Sequence, residues 1–149
     1  MAVTKQDKKN AYLYCKFRDE QFAHYEAYAR SCGMSVNMLF IINAIYYAKD
    51  GITQHDICEI THLSKQTVNL NIKALLSEKS VTVKEIPTNK RLKTVTMTAK
   101  GKEKYKEIVT HITNSEDKAM SMLTADEQEM LIALSRKFTE ELIKLIGEV

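Results

Sequence analysis

The sequence predicts a mainly α protein with one small β-hairpin, its elements running α-α-α-α-β-β-α-α. Three observations carry this. One proline and four glycines in 149 residues are too few for a many-turned β architecture. Apolar residues recur at spacings of three and four along most of the chain, as in helices that bury one face. Between 81 and 97 the period drops to two, as in strands.

Residues 6–30 read as a first long helix, with Leu13, Phe17, Gln21, His24 and Tyr28 in one stripe. "SCG" at 31–33 ends it, and Gly33 suits the left-handed position after a helix. Ser35 caps a second helix, "VNMLFIINAIYYAK", apolar nearly all round and therefore covered on several sides. "KDG" at 49–51 is a turn. Thr53 caps the short helix "QHDICEI", with Asp56 placed for a capping box and Ile57 and Ile60 facing in. "THL" makes the next turn, and Ser64 caps a fourth helix. Two short helices about a tight turn are the plan of a helix-turn-helix, over 53–76. "VTVKEIP" and "LKTVTM" then form a hairpin about "TNKR", where Asn89 tolerates a positive φ and Pro87 sits at a strand end. Thr98 caps a helix carrying Gly101, Tyr105, Ile108 and Ile112. "TADE" at 124–127 opens the last helix, with Leu131, Leu134, Phe138, Leu142 and Leu145 on one face.

The length fits one domain whose core stands without staples. Cys15, Cys32 and Cys58 are odd in number and widely spaced, which does not suggest a disulfide framework. No segment has the run of apolar residues of a membrane span, and the start lacks the apolar core of a signal peptide. The expected location is a reducing cytoplasm. Phosphate-cradling glycine loops, nucleophile elbows and paired His-Glu motifs are missing from the sequence, so no enzyme and no cofactor are expected. The net charge of +3 is unevenly spread. Residues 61–106 hold eleven Lys or Arg against three Glu, a balance of +8, and the remainder balances at −5. Such focusing is the footprint of a polyanion-binding face, or of a basic surface with no partner.

The fourth helix favours the first of these. In "THLSKQTVNLNIKALL" (61–76), Val68, Ile72 and Leu75 share the inward face. The opposite arc carries Gln66, Leu70, Lys73 and Ser77, flanked by Thr67 and Asn69. Gln and Asn set a donor beside an acceptor, as reading adenine in the major groove requires, and Leu70 can touch a thymine methyl. Ser64, Lys65 and Thr67 lie at the helix N-terminus, where free N–H groups favour a phosphate. The competing reading is a polar surface helix. The hairpin tip with Lys90, Arg91 and Lys93, following directly, argues against it, because such a basic tip can lay an arginine into a minor groove.

These residues resemble the MarR-type winged-helix transcription regulators over nearly the whole chain, most specifically in "LSKQTVNLNIKALLSEK" and "TNKRLKTVTMTAKG". Arg91 matches the family's minor-groove arginine, and Thr98 and Gly101 match the helix start after the wing. Asn89 stands where the family usually has Asp, and Lys79 where the recognition helix usually ends in Gly. The resemblance implies one domain over 1–149. Within it, a winged helix-turn-helix lobe occupies 35–100, with its wing at 81–97, and dimerisation helices occupy 1–30 and 110–149. It also implies a homodimer on a pseudo-palindromic operator in double-stranded DNA, acting as a repressor released by a small-molecule effector or an oxidant. Hydroperoxide-sensing relatives place a reactive cysteine near the start of the first helix. Cys15, between Tyr14 and Lys16, is the redox-sensor candidate, against the plainer reading of a small buried residue. Zinc-sensing relatives draw attention to His24, Cys32 and His111, but the second helix offers no ligand, and no metal site is expected. Tyr14, Phe17, Tyr25, Tyr28, Phe40 and Tyr47 either line an effector pocket or serve core and dimer. The alternative function is a winged-helix module that docks a protein partner without specific DNA binding.

Overall fold

The computed structural model describes residues 1–148, apart from the side chains of Lys90 and Arg91. The first helix, α1 (Lys5–Ser31), starts from a reciprocal capping box between Thr4 and Asp7. It ends in a Schellman motif, in which the Gly33 N–H bonds the Arg30 carbonyl and the Met34 N–H bonds that of Ala29, both at 3.0 Å. Gly33 has the left-handed φ of 76° that this motif requires.

Helix α2 (Val36–Tyr46) is capped by Ser35 as expected, but stops three residues before Lys49. Tyr47 closes it, and a turn through Gly51 (φ 86°) leads into a two-residue strand, β1 (Ile52–Thr53), that the sequence reading does not contain. Thr53 is at once the end of β1 and the cap of α3 (Gln54–Thr61), accepting from the Asp56 N–H at 3.1 Å. The turn after α3 passes through His62, itself left-handed at φ 57°. Ser64 then caps α4 (Lys65–Ser77), accepting from the Thr67 N–H at 3.1 Å.

One burial expectation fails on α3. Ile57 is fully buried, but Ile60 is 61% exposed. A helix of eight residues has one narrow inward line, and the residue packed beside Ile57 is Cys58.

The wing consists of β2 (Val81–Ile86) and β3 (Asn89–Met97). With β1 they form an antiparallel sheet in the order β1-β3-β2, with Ile52 opposite Val95 and Thr53 opposite Thr94. The hairpin turns tighter than "TNKR" suggests. Asn89 already opens β3 opposite Ile86, and it is not among the described residues with positive φ. The register shifts between Glu85, opposite Lys93, and Ile86, an irregularity of the bulge type that bends a strand pair.

Two further helices complete the chain, α5 (Ala99–Ser121) and α6 (Ala125–Gly147). The core gathers Ile41, Ile42 and Ile45 of α2, Ile57 of α3, and Val68, Ile72 and Leu75 of α4. Val81, Val95 and Met97 of the wing and Tyr105 and Val109 of α5 complete it. Contacts divide the chain into a unit from Met1 to Val109, which holds this core, and a unit from Thr110 to Val149. In the second unit, Thr124 caps α6 by accepting from the Glu127 N–H, and no described residue of α6 is buried.

Candidate nucleic-acid interface

The exposed arc of α4 is the one that its periodicity predicts. Val68, Ile72 and Leu75 are at most 3% exposed, while Leu70 on the opposite side is 69% exposed. Lys65, Gln66, Asn69 and Lys73 are exposed with it, and Thr67 is half-buried. A leucine held this far out of a packed helix contributes nothing to the core beneath it.

The hydroxyls and amides on this helix are not equally available. Ser64 and Thr67 are joined at the cap, the Ser64 O–H donating to Thr67 Oγ1 at 2.9 Å. Asn71 donates back to the Thr67 carbonyl at 2.8 Å, a bond within its own helix. Asn69 accepts from Gln54 Nε2 of α3 at 3.3 Å. Gln66 has no partner among the described residues, which leaves its whole amide facing out.

Beside the N-terminus of α4 lies an open cleft of about 530 Å³, lined by Thr53, Gln54, His55, Cys58, Lys65, Leu92 and Lys93. It brings the start of α3, the start of α4 and the part of β3 next to the wing tip together. Lys65 and Lys93, both candidates from the sequence, line this cleft together, as do Gln54 and His55, which the sequence reading passes over. Lys90 and Arg91, the other two wing residues, have side chains outside the described part of the structure.

The far end of α4 is fastened to α5. Glu78 accepts from Lys104 Nζ, from the Tyr105 hydroxyl (2.8 and 2.9 Å to its two oxygens) and from the Ser80 hydroxyl at 2.9 Å. Its own carbonyl accepts from Lys100 Nζ at 3.1 Å. Burial alone would raise the Glu78 pKa, but the bonds from Lys104, Tyr105 and Ser80 outweigh it and hold the carboxylate below its ordinary value. The same contact raises Lys104, and burial followed by Glu78 raises Tyr105. Thr98, the cap of α5, accepts from the Gly101 N–H at 3.0 Å and donates towards the Lys79 and Ser80 carbonyls. Sequence reasoning missed Glu78, although a signal existed: an acid at a helix C-terminus opposes the helix dipole unless cations answer it.

Among the remaining candidates, Cys15 is a half-buried free thiol on α1, one turn before Arg18, whose charge interacts with Asp19 and also with Cys15. Tyr25 packs edge-on against Phe40 at 5.8 Å. Tyr28 donates to the Ile108 carbonyl at 3.2 Å, and burial, reinforced by Cys32, pushes its pKa up to about 12. Tyr14, Phe17 and Tyr47 are 40–58% exposed. His24 meets the Glu20 carbonyl of its own helix at 2.9 Å. Among the described residues, no three His, Cys, Asp or Glu side chains gather as a metal site. No helix there is long and apolar enough to cross a membrane.

The sequence profile of the MarR family matches residues 33–92. The winged segment is thus similar in sequence to the MarR family. Solved structures extend the likeness in fold beyond it. MepR of S. aureus, in its DNA-binding conformation, superposes with a TM-score of 0.77 at 19% identity, over 89% of this chain and 98% of its own. AbsC, a MarR family transcriptional regulator from Streptomyces coelicolor, gives 0.78 at 14% identity over 97% and 99%. The PcaV transcriptional regulator of the same organism, in complex with its natural ligand, gives 0.64 at 20% identity over 94% and 98%. No curated protein sequence matches significantly. Both long terminal helices therefore belong to the MarR-type fold, together with the winged lobe.

Proposed function

We propose that this protein is a MarR-type transcription regulator that binds double-stranded DNA sequence-specifically as a homodimer, and represses until a small ligand or an oxidant releases it. The observation that carries the reading is the outward arc of α4, where Gln66, Asn69, Leu70 and Lys73 stand exposed on a helix whose other side is core. In this reading Gln66, Asn69 and Leu70 face base edges in the major groove. Ser64, Lys65, Thr67, Lys73 and Lys93 hold phosphates. Lys90 and Arg91 reach from the wing tip, Arg91 into the minor groove, an assignment that rests on the sequence alone. The division of labour follows, with a winged lobe at 35–100 and dimerisation helices at 1–30 and 110–149. MepR has been solved in a DNA-binding conformation and PcaV with a natural ligand, which supports both halves of the reading. Cys15 is the group to test for oxidant release, by comparing Cys15→Ser with wild type before and after peroxide.

The rival reading, a module that docks a protein, draws on the exposure of Ile60 and Leu70. One experiment separates the two. Selection from genomic fragments followed by footprinting should yield a pseudo-palindromic site, bound with an affinity that falls steeply with salt as counterions are released. Weak, salt-insensitive retention with no protected sequence overturns the DNA reading in favour of the protein-docking one.

A further inference from the structure

Gln54 is the first residue of α3 and lines the cleft beside the start of α4. Its Nε2 donates to Asn69 Oδ1 at 3.3 Å, the side-chain tie from the first helix of the helix-turn-helix to the exposed arc of the second. An asparagine free to rotate presents a donor beside an acceptor, the pattern that fits adenine's N6 and N7. A neighbour donating to Oδ1 removes that freedom. The oxygen is turned towards α3, and Nδ2 with its two hydrogens is left for the outward face.

We propose that Gln54 is a specificity-determining positioning residue, which makes Asn69 a donor that selects the acceptor edge of guanine, N7 and O6, over the mixed edge of adenine. The inference rests on the DNA-binding reading above and refines it at one base position. It also divides the two outward amides. Gln66, which has no partner among the described residues, keeps the paired donor and acceptor suited to adenine, whereas Asn69 does not.

Two substitutions at 54 make different demands on Asn69. Gln54→Glu replaces the donor by an acceptor of the same length, so Nδ2 turns to α3 and Oδ1 faces out. Gln54→Leu keeps the bulk and lets Asn69 rotate. Neither threatens the fold: an acid suits the first turn of a helix, Lys65 and Lys93 line the same cleft, and thermal unfolding checks both variants.

The test is selection from randomised duplexes with wild type, Asn69→Ala, Gln54→Leu and Gln54→Glu, followed by binding to the selected site with 7-deazaguanine at the position that Asn69→Ala loses. Wild type should place guanine there, with a preference of about tenfold that the 7-deaza analogue, which keeps O6 but loses N7, weakens. Gln54→Leu should flatten the preference, and Gln54→Glu should move it to a base that donates. The proposal is overturned if wild type selects adenine there, if 7-deazaguanine binds like guanine, or if both Gln54 variants keep the wild-type preference. Should folded wild type enrich no sequence at all, the DNA-binding reading itself falls, and this one with it.

Discussion

Lys79 follows α4 with a left-handed backbone, φ 62°. Its N–H bonds the Leu76 carbonyl and that of Ser80 bonds Leu75, both at 2.9 Å, so α4 ends in the same Schellman motif as α1. At the end of α1 the left-handed residue is Gly33. Here it is a lysine, whose Cβ crowds its own carbonyl at a cost of roughly 1 kcal/mol. Lys79→Gly should therefore stabilise the protein by about that amount, read as a higher denaturant midpoint with an unchanged m-value. The departure from Gly was visible in the sequence, and the backbone bends there as glycine would and bears the strain. Gln66 carries the other prediction at this scale. Gln66→Ala should cost about 1–3 kcal/mol at one base position and relax selection there, whereas Lys73→Ala should weaken all sequences about equally. Both would show in competition binding against single-base variants of the site. That Gln66 is outward was legible from the period of Val68, Ile72 and Leu75. That Thr67 and Asn71 are bonded within their own helix was not, since a hydroxyl or amide in a sequence does not say whether cap, backbone or ligand will take it.

Between elements, the junction of α4 and α5 is tied by polar contacts around Glu78 beside the buried Tyr105 ring. Glu78→Gln keeps the shape and removes the charge that Lys104, Tyr105 and Ser80 share. It should destabilise by about 1–2 kcal/mol at neutral pH, as expected for bonds to an ionised group. Because the folded-state pKa of Glu78 lies below its unfolded value, its contribution is full above the ordinary carboxylate range and is lost as pH falls through the depressed value. The stability gap between wild type and Glu78→Gln should accordingly narrow in acid, measured by urea titration across pH. At the same junction, a Cβ on Gly101 would be driven into the Ser80 carbonyl oxygen and towards Met97. Gly101→Ala should cost about 1–3 kcal/mol through that overpacking. The helix caps at Thr53, Ser64, Thr98 and Thr124 were legible because Ser and Thr before an apolar period have one common use. β1 was not, since two residues carry no period. Ile60 misled for a related reason: in so short a helix the period cannot say how wide the buried face is.

For the molecule as a whole, the apolar face of α6 is the feature most in need of cover. Leu131, Leu134, Ile143, Leu145 and Ile146 are 43–65% exposed, and α1 adds Phe17 and Phe22 at 58% and 49%. Isologous packing of these faces across a two-fold axis would bury them, and would hold two recognition helices about one DNA turn, ~10 bp, apart. Sedimentation at micromolar concentration should therefore find a dimer. The double substitution Leu134→Glu with Leu145→Glu should yield monomers that no longer protect a full palindrome, with α4 untouched. Monomeric wild type protecting both half-sites would sink the architecture. The order of helices and wing was readable here because each long element repeats its period many times. A sequence read as one chain does not show which of those faces needs a second copy.

The wing has a further consequence as a closed excursion. It leaves the chain at Ser80 and returns at Thr98, whose N–H meets the Ser80 carbonyl at 2.9 Å, beside the Thr98 hydroxyl and the Gly101 contact. The seventeen residues between are thus a loop whose base is sealed independently of its tip. Doubling such a loop adds only about 0.6 kcal/mol of closure entropy. Residues can be added or removed at the tip without moving the ends of α4 or α5, so in the proposed function the reach of this arm along DNA is a length that can vary while α4 stays in place.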